Sequence, residues 1–243
     1  MNISNNTILI TGGATGIGLA LAKRFAALSN TVIIVGRNEA ALASAVAETP
    51  MLIAHRCDLA KRGEREELVM MVEQQFPMLN VLINNAGVQY NYDLANTSNL
   101  PRIESEITTN LTAPIELCSL LLPLLAEQNK SAIVNVSSSL AFVPKRSAPV
   151  YCATKAGLHS FTKALRYQLE GANITVMELI PPLVDTQMTQ GRGTGKISPL
   201  QLADEFLTAF ARDEAEINIG RTAILRVLNR FLPSVAERIM KQS

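Results

Sequence analysis

Short apolar runs alternate with longer stretches of helical periodicity along most of the chain. The apolar runs are Thr7–Thr11, Thr31–Val35, Leu52–Cys57, Val81–Asn84, Ala132–Ser137 and Ile174–Ile180. Several of them, such as Thr31–Val35, are continuous β-branched runs rather than alternations of apolar and polar residues. Strands with both faces buried have this pattern, and parallel sheets are buried on both faces. The pattern therefore predicts the strands of a buried parallel sheet.

Strong helix formers with helical spacing fill the segments between these runs. These segments are Gly16–Leu28, Glu39–Ala47, Arg65–Phe76 and Val150–Leu169. Regular alternation of strand and helix predicts an α/β fold with a doubly wound parallel sheet of about seven strands, flanked by helices. Because no linker, repeat or low-complexity segment interrupts the pattern, we expect residues 1–243 to form a single domain.

The segment near 181–199 departs from this regularity, because it contains three prolines and three glycines. We interpret it as a mobile substrate loop, since ligand loops gather at the carboxyl ends of parallel strands. Helical patterns resume at Pro199–Arg212 and Ala223–Lys241, and a short apolar run at 216–220 predicts an edge strand between them.

Composition and charge exclude several classes of protein. Lys and Arg total 22 and Asp and Glu 21, a balance that argues against a nucleic-acid binder. The three cysteines are widely spaced and include no C-x-x-C pair, and no cluster has metal-ligand spacing, so we expect neither disulfides nor a metal site. The N-terminus has no signal-peptide pattern, and we find no apolar window of the ~18 residues that a membrane span requires. We expect a cytoplasmic protein with reduced, buried thiols.

A glycine-rich turn follows the first predicted strand, in the order Thr11-Gly12-Gly13-Ala14-Thr15-Gly16-Ile17-Gly18. Glycines allow a tight turn and a close approach of backbone to ligand. A helix that begins near Gly16 would point free N–H groups and the positive end of its dipole at a pyrophosphate. The strand–turn–helix context predicts a dinucleotide-binding site.

Tyr151 and Lys155 are four positions apart in a helical stretch, so both side chains lie on one helix face. Tyrosine is a weak acid, with a reference pKa near ~10. A nearby ammonium favours the phenolate, so we expect Lys155 to lower the pKa of Tyr151. Ser138 lies thirteen positions before Tyr151, after an apolar strand, where its hydroxyl could hold a substrate oxygen.

The glycine turn, the run Asn84-Asn85-Ala86-Gly87, Asn110, Ser138 and the Tyr151–Lys155 pair occur in an order that resembles the short-chain dehydrogenase/reductase family. The resemblance covers about the first 190 residues and implies a Rossmann-like fold. It implies a catalytic set of Asn110, Ser138, Tyr151 and Lys155, with Ser138 chosen over its serine neighbours by its spacing to the tyrosine. It also implies that the cofactor contacts Gly12, Thr15, Gly16, Ile17, Gly18, Arg37, Asp58, Leu59, Asn85, Ala86, Gly87, Tyr151, Lys155, Pro181, Val184 and Thr186.

The end of the second strand bears on the choice of nicotinamide cofactor. Gly36 stands where family members that prefer NAD carry an aspartate, and Arg37 offers a guanidinium that could pair with a 2′-phosphate. These residues favour NADP(H), while Glu39, and Thr15 in place of a second basic residue, keep NAD(H) as the alternative.

Pro182 replaces the glycine that many family members carry after the sixth strand. This Pro-Pro variant resembles a bacterial branch of the family found with teichoic-acid D-alanylation genes. The resemblance implies a homo-oligomer, a dimer first and a tetramer second, that pairs through the helices around Glu104–Gln128 and Val150–Leu169.

We interpret the chain as an oxidoreductase that moves hydride between NADP(H) and a small carbonyl compound or secondary alcohol. A nicotinamide-binding sensor is disfavoured, because it would not need Tyr151 with Lys155. An epimerase or dehydratase is disfavoured, because only about 60 residues follow Ile180. Val88, Gln89, Tyr90 and Tyr92 could line a substrate pocket or simply pack on the surface.

Overall fold

A computed structural model describes residues 1–95 and 99–241 of the chain. Seven parallel strands form one sheet in the order β3-β2-β1-β4-β5-β6-β7. The strands are β1 (Thr7–Thr11), β2 (Thr31–Gly36), β3 (Leu52–Arg56), β4 (Leu79–Asn84), β5 (Ser131–Val136), β6 (Ile174–Ile180) and β7 (Glu216–Asn218). This confirms the predicted doubly wound α/β fold.

Helices cover both faces of the sheet. They are α1 (Gly16–Ala26), α2 (Glu39–Glu48), α3 (Arg62–Gln75), α4 (Leu100–Ile107), α5 (Ala113–Ala126), α6 (Pro149–Gln168), α7 (Pro199–Ala211), α8 (Thr222–Phe231) and α9 (Pro233–Lys241). A π-helical turn, Thr108–Thr112, joins α4 to α5. The tail pattern predicted as one helical stretch is divided in two at Pro233, which cannot continue the backbone hydrogen bonding of a helix.

Strand residues alternate between two hydrophobic layers. Ile8 and Ile10 of β1 belong to a cluster under α1 and α7, where Phe25 packs edge-on against Phe210 with ring centroids 5.5 Å apart. Leu9, between them, belongs to the cluster under α3, α5 and α6. Both faces of the strands are buried, which explains the continuous apolar runs.

The order of the strands reverses between β1 and β4. In open α/β sheets, ligands bind at the carboxyl ends of the strands where such a reversal occurs. The turns after β1 and β4 therefore meet at the point where the fold favours a dinucleotide.

The segment Leu100–Ala126 has a mean hydropathy of 1.4 over its most apolar window, enough by length and composition to cross a membrane. In the structure, 44% of that window is buried, and α5 packs on β4, β5 and α3. A core helix of a folded domain has this composition as well, because its inner face is apolar.

Candidate active site

The glycine turn after β1 leads directly into α1. Gly12 and Gly16 have φ angles of +64° and +55°, a left-handed conformation that favours glycine. Thr15 is extended at the N-cap, and no side chain caps the first turn of α1. The backbone N–H groups of Gly16, Ile17 and Gly18 therefore lie at the positive end of the helix dipole, where an anionic group is stabilised.

Hydrogen bonds join this turn to the turn after β4. The Thr11 hydroxyl accepts hydrogen bonds from the backbone N–H groups of Asn85 and Ala86, at 3.0 Å each. The Asn85 side-chain amide donates to the carbonyl oxygens of Thr11 at 2.9 Å and Gly12 at 3.2 Å. Side chains at both ends of this contact fix the turns against one another, so the predicted cofactor residues of β1 and β4 share one wall.

The carboxyl ends of β2 and β3 lie side by side in the sheet. Arg37 is exposed directly after β2, and Asn38 caps α2 through a 3.1 Å hydrogen bond from the backbone N–H of Ala41. After β3, Leu59 is buried, and an Asp58 carboxylate oxygen accepts from the backbone N–H of Ala60 at 3.1 Å. Arg37 and Asp58 thus lie at the edge of the site where an adenosine would be expected.

Asn110 lies fully buried in the π-helical turn. Its side-chain oxygen accepts from the backbone N–H of Val88, and its amide nitrogen donates to the carbonyl oxygen of Val88, both at 2.8 Å. A Cβ atom at Gly87 would lie 3.3 Å from the Asn110 side-chain oxygen and 3.8 Å from the Lys155 ammonium. The fold therefore brings Gly87, Asn110 and Lys155 together, and the local break in the helix is what turns Asn110 inward.

Ser138 and Tyr151 face each other across the end of β5. Ser138 is 8% exposed and caps a short 3-10 turn, accepting from the backbone N–H of Leu140 at 3.1 Å. Lys155, one turn after Tyr151 on α6, is 3% exposed and donates from its ammonium to the carbonyl oxygen of Val136 at 2.7 Å. That ammonium lies 5.7 Å from the centre of the Tyr151 ring.

The electrostatics of this pair differ from the sequence prediction. Burial raises the pKa of Tyr151 to about 12, and hydrogen bonding with Ser138 lowers it only in part. Burial also lowers the pKa of Lys155 to about 8, against the opposing effect of Glu178. Desolvation is the largest influence on both groups, so the net shift of the Tyr151 pKa is upward. A stabilising effect of Lys155 on the Tyr151 phenolate stays a prediction.

Glu178 was not among the predicted site residues, and in the structure it forms a pair with His159. Glu178 is 1% exposed in the middle of β6, and its carboxylate lies 2.7 Å from the Nδ1 atom of His159 on α6. The other Glu178 oxygen is buried without a hydrogen-bond partner. The His159 ring also packs edge-on against Phe142, with centroids 4.7 Å apart. The negative charge of Glu178 favours the charged form of Lys155.

The segment predicted as a substrate loop is tied at both ends. Val184 pairs with Ile197 in a short parallel bridge, and the backbone N–H of Asp185 donates to the carbonyl oxygen of Ile197 at 2.9 Å. The Thr186 methyl group would lie 3.1 Å from a Cβ atom at Gly16, so this loop reaches the glycine turn.

The first two residues of this loop, Pro181 and Pro182, directly follow β6. Pro181 is buried and Pro182 half-buried, and a Cβ atom at Gly220 would lie 3.8 Å from the Pro182 ring. The ring that replaces the usual glycine therefore packs toward the segment after β7.

All three cysteines are buried and unpaired. Burial raises the pKa of the Cys57 and Cys118 thiols to about 12, so neither forms a reactive thiolate at neutral pH. Within residues 1–95 and 99–241, no group of three or more His, Cys, Asp or Glu side chains could hold a metal ion.

The chain belongs to the short-chain dehydrogenase family, whose model matches residues 6–196. It is 44% identical over 237 residues to the uncharacterized oxidoreductase DltE of Bacillus subtilis, covering 95% of this chain and 94% of that protein. This likeness confirms the predicted bacterial branch.

Solved structures of the same fold include a short-chain dehydrogenase from Burkholderia cenocepacia in complex with NADP. It has a TM-score of 0.87 at 21% identity and covers 99% of both chains. A relative from Burkholderia phymatum, in complex with NAD, has a TM-score of 0.86 at 22% identity, covering 100% of this chain and 98% of that one. The two likenesses establish the fold.

Proposed function

We propose that this oxidoreductase is an NADP(H)-dependent carbonyl reductase or alcohol dehydrogenase that acts on a small carbonyl compound or secondary alcohol. The observation that carries the proposal is the convergence of Tyr151, Ser138, Lys155 and Asn110 beside the glycine turn. A phenol and a hydroxyl that face each other next to a buried ammonium suit proton transfer to a carbonyl oxygen.

The nicotinamide cofactor, when bound, supplies or accepts the hydride. The turn formed by Gly12, Gly16, Ile17 and Gly18 would hold its pyrophosphate, because the N–H groups there have no side-chain cap. Val184 and Thr186 would contact the nicotinamide end, since the loop reaches the same turn.

In the reducing direction, hydride and one proton convert the carbonyl to an alcohol. Tyr151 donates the proton from its phenol to the substrate oxygen, and the Ser138 hydroxyl donates a hydrogen bond to that oxygen as negative charge develops. Lys155 stabilises the Tyr151 phenolate that is left behind. Asn110 holds the backbone of Val88 in place through two hydrogen bonds. The phenol regains its proton before the next turnover.

The preference for NADP(H) is supported by Arg37, which is exposed and follows a strand end without a carboxylate. A guanidinium can pair with the 2′-phosphate in a bidentate geometry. We propose NAD(H) as the poorer cofactor, and the ratio of kcat/KM for NADPH and NADH tests this preference directly.

The substitution Tyr151→Phe tests the catalytic proposal. Reduction of ketones, aldehydes, quinones and 3-oxoacyl compounds should be abolished in this variant, while NADPH binding measured by fluorescence should be retained. Tyr167→Phe is the matched control, because Tyr167 lies on the same helix with 64% of its surface exposed. Turnover retained in Tyr151→Phe would refute the assignment.

We further propose a cytoplasmic, single-domain protein that forms a homodimer through α4, α5 and α6. Two exposed apolar side chains support this interface. They are Ile107 on α4 and Leu120 on α5, which are 40% and 39% exposed. Mass measurement in solution tests it, and a monomer would contradict it.

A further inference from the structure

Arg192 connects the loop after β6 to the loop after β4. It is half-buried, and its Nη1 atom donates to the Gln89 side-chain oxygen at 2.6 Å, across 103 positions of sequence. Gln89 directly follows Val88, whose backbone is hydrogen-bonded to Asn110 of the proposed catalytic set, and the charge of Arg192 also acts on the Tyr151 phenol. Arg192 and Gln89 therefore stand beside the position that a substrate would occupy.

The orientation of the Gln89 amide follows from its partner. A guanidinium only donates hydrogen bonds, so the Gln89 oxygen must face Arg192 and the Nε2 atom must face elsewhere. That Nε2 atom is buried and has no hydrogen-bond partner. A buried amide donor without an acceptor costs free energy, and a ligand oxygen that accepts a hydrogen bond from Nε2 would remove this cost.

Lys145 adds a second cation to the same region. It is half-buried, and its backbone N–H donates to the sulfur of Cys152, the residue after Tyr151 on α6, at 3.4 Å. Burial lowers the pKa of the Lys145 ammonium, and the charge of Arg192 lowers it further. The charges of Arg192 and Lys145 therefore repel each other in partly desolvated positions, and an anion bound by both side chains would relieve this repulsion.

Arg192 donates its hydrogen bond to the neutral Gln89 amide rather than to a carboxylate. Glu106 is a buried acid whose charge also acts on Tyr151. Its oxygens accept from the Tyr92 hydroxyl at 2.7 Å and from the backbone N–H of Tyr90 at 3.3 Å. Glu106 is therefore engaged with the aromatic loop and does not neutralise the two cations.

We infer that Arg192, Lys145 and the Gln89 amide form an anion subsite, so that the substrate is a carbonyl compound that carries a carboxylate or a phosphate. This inference rests on the proposed function and names the substrate class of the same site. Two cations and an amide donor match the acceptor oxygens of either anion. The anion would hold the substrate carbonyl next to Tyr151 and Ser138.

Matched substrate pairs test the subsite. Acetoacetate against its methyl ester probes a carboxylate, and dihydroxyacetone phosphate against dihydroxyacetone probes a phosphate. In at least one pair, the wild-type protein should have a higher kcat/KM for the charged substrate than for the neutral one. Arg192→Gln or Lys145→Gln should lower this ratio of kcat/KM values by about tenfold or more. The favoured pair tells which anion the site takes.

Arg146→Gln is the matched control, because Arg146 is an exposed cation next to Lys145 in sequence. It should leave the preference unchanged. Equal use of the charged and neutral substrates in both pairs, or a preference that survives both Arg192→Gln and Lys145→Gln, would overturn the inference.

Calorimetry separates this inference from the proposed function. Acetate and inorganic phosphate are titrated onto wild-type and Arg192→Gln protein with saturating NADP+, which occupies the phosphate-binding turn. Binding in wild-type protein that is lost in Arg192→Gln supports the subsite, even where no carbonyl is reduced. Absence of binding, or equal binding in both proteins, refutes it, whereas failure to reduce any carbonyl refutes only the proposed function.

Discussion

Replacement of Gly18 by alanine tests whether the glycine turn is held in place by close backbone packing. A Cβ atom at Gly18 would lie 2.3 Å from the carbonyl oxygen of Gly12 and 2.5 Å from the Asn85 amide nitrogen. Both distances are well inside van der Waals contact, and the Asn85 amide is itself fixed by hydrogen bonds to Thr11 and Gly12. The methyl group can be accommodated only if α1 moves away from the turn.

Overpacking of this kind costs about 1–3 kcal/mol. For a protein of this size, each kcal/mol lowers the melting temperature by about 2–4 °C. Gly18→Ala should therefore lower the Tm by roughly 2–12 °C, and it should weaken NADPH binding, because the displaced N–H groups no longer face the pyrophosphate.

The assay is thermal unfolding followed by circular dichroism, with NADPH affinity measured on the same samples. Gly63→Ala is the matched control, since a Cβ at this α3 residue meets nothing within 4 Å. Alanine also favours a helix over glycine, so Gly63→Ala should keep or raise the Tm. A Gly18→Ala variant as stable as wild type would refute the packing argument.

Three further substitutions test the cofactor edge, the core and the catalytic pair. Arg37→Asp should lower the NADPH to NADH ratio of kcat/KM by about tenfold or more, and an unchanged ratio would contradict the role of Arg37. Arg65→Met should destabilise the protein by about 1–3 kcal/mol in urea unfolding, because the buried guanidinium donates to the partly exposed Glu116 carboxylate at 2.8 and 2.6 Å. An unshifted midpoint would contradict this. Reduction should decline as the pH rises through about 8, where the Lys155 ammonium loses its proton, while Tyr151 keeps its own. Glu178→Gln should move this decline in kcat/KM to lower pH, since Glu178 raises the pKa of Lys155, and a pH profile identical to wild type would refute that coupling.

The local structure that the sequence predicts correctly around the candidate site is encoded over short stretches of chain. The turn after β1 combines an apolar strand, spaced glycines and a helix start, all within one βαβ unit. The four-residue spacing of Tyr151 and Lys155 is likewise local, since one helical turn places both on the same face. The strand order is not specified in this way, because doubly wound sheets occur with more than one order. The turns after β1 and β4 are brought together by the order β2-β1-β4 of this sheet.

Strand and helix ends, and the division between α8 and α9, were less predictable. The tail pattern is amphipathic on both sides of Pro233, so periodicity alone does not separate the two helices. Likewise, composition does not distinguish a buried core helix such as α5 from a membrane span. Only the packing of its inner face on the sheet does so.

The Arg192–Gln89 contact was out of reach of sequence reasoning for a different reason. The two residues come from separate loops, and neither loop has a motif that specifies its partner. The Val184–Ile197 bridge joins the two ends of the loop that carries Arg192. Contacts between irregular segments depend on the finished fold, and they vary most among proteins that share a scaffold.

Glu178, in contrast, left a signal in the sequence. It is an acid in the apolar run Ile174–Ile180, where a buried parallel strand normally excludes charge. A sequence that breaks the rule of its own element often does so at a functional site. His159 follows Lys155 by four positions and lies on the same helix face, so the fold places both residues over β6. The carboxylate that interrupts the strand lies 2.7 Å from His159 Nδ1, and its charge also favours the charged form of the buried Lys155 ammonium.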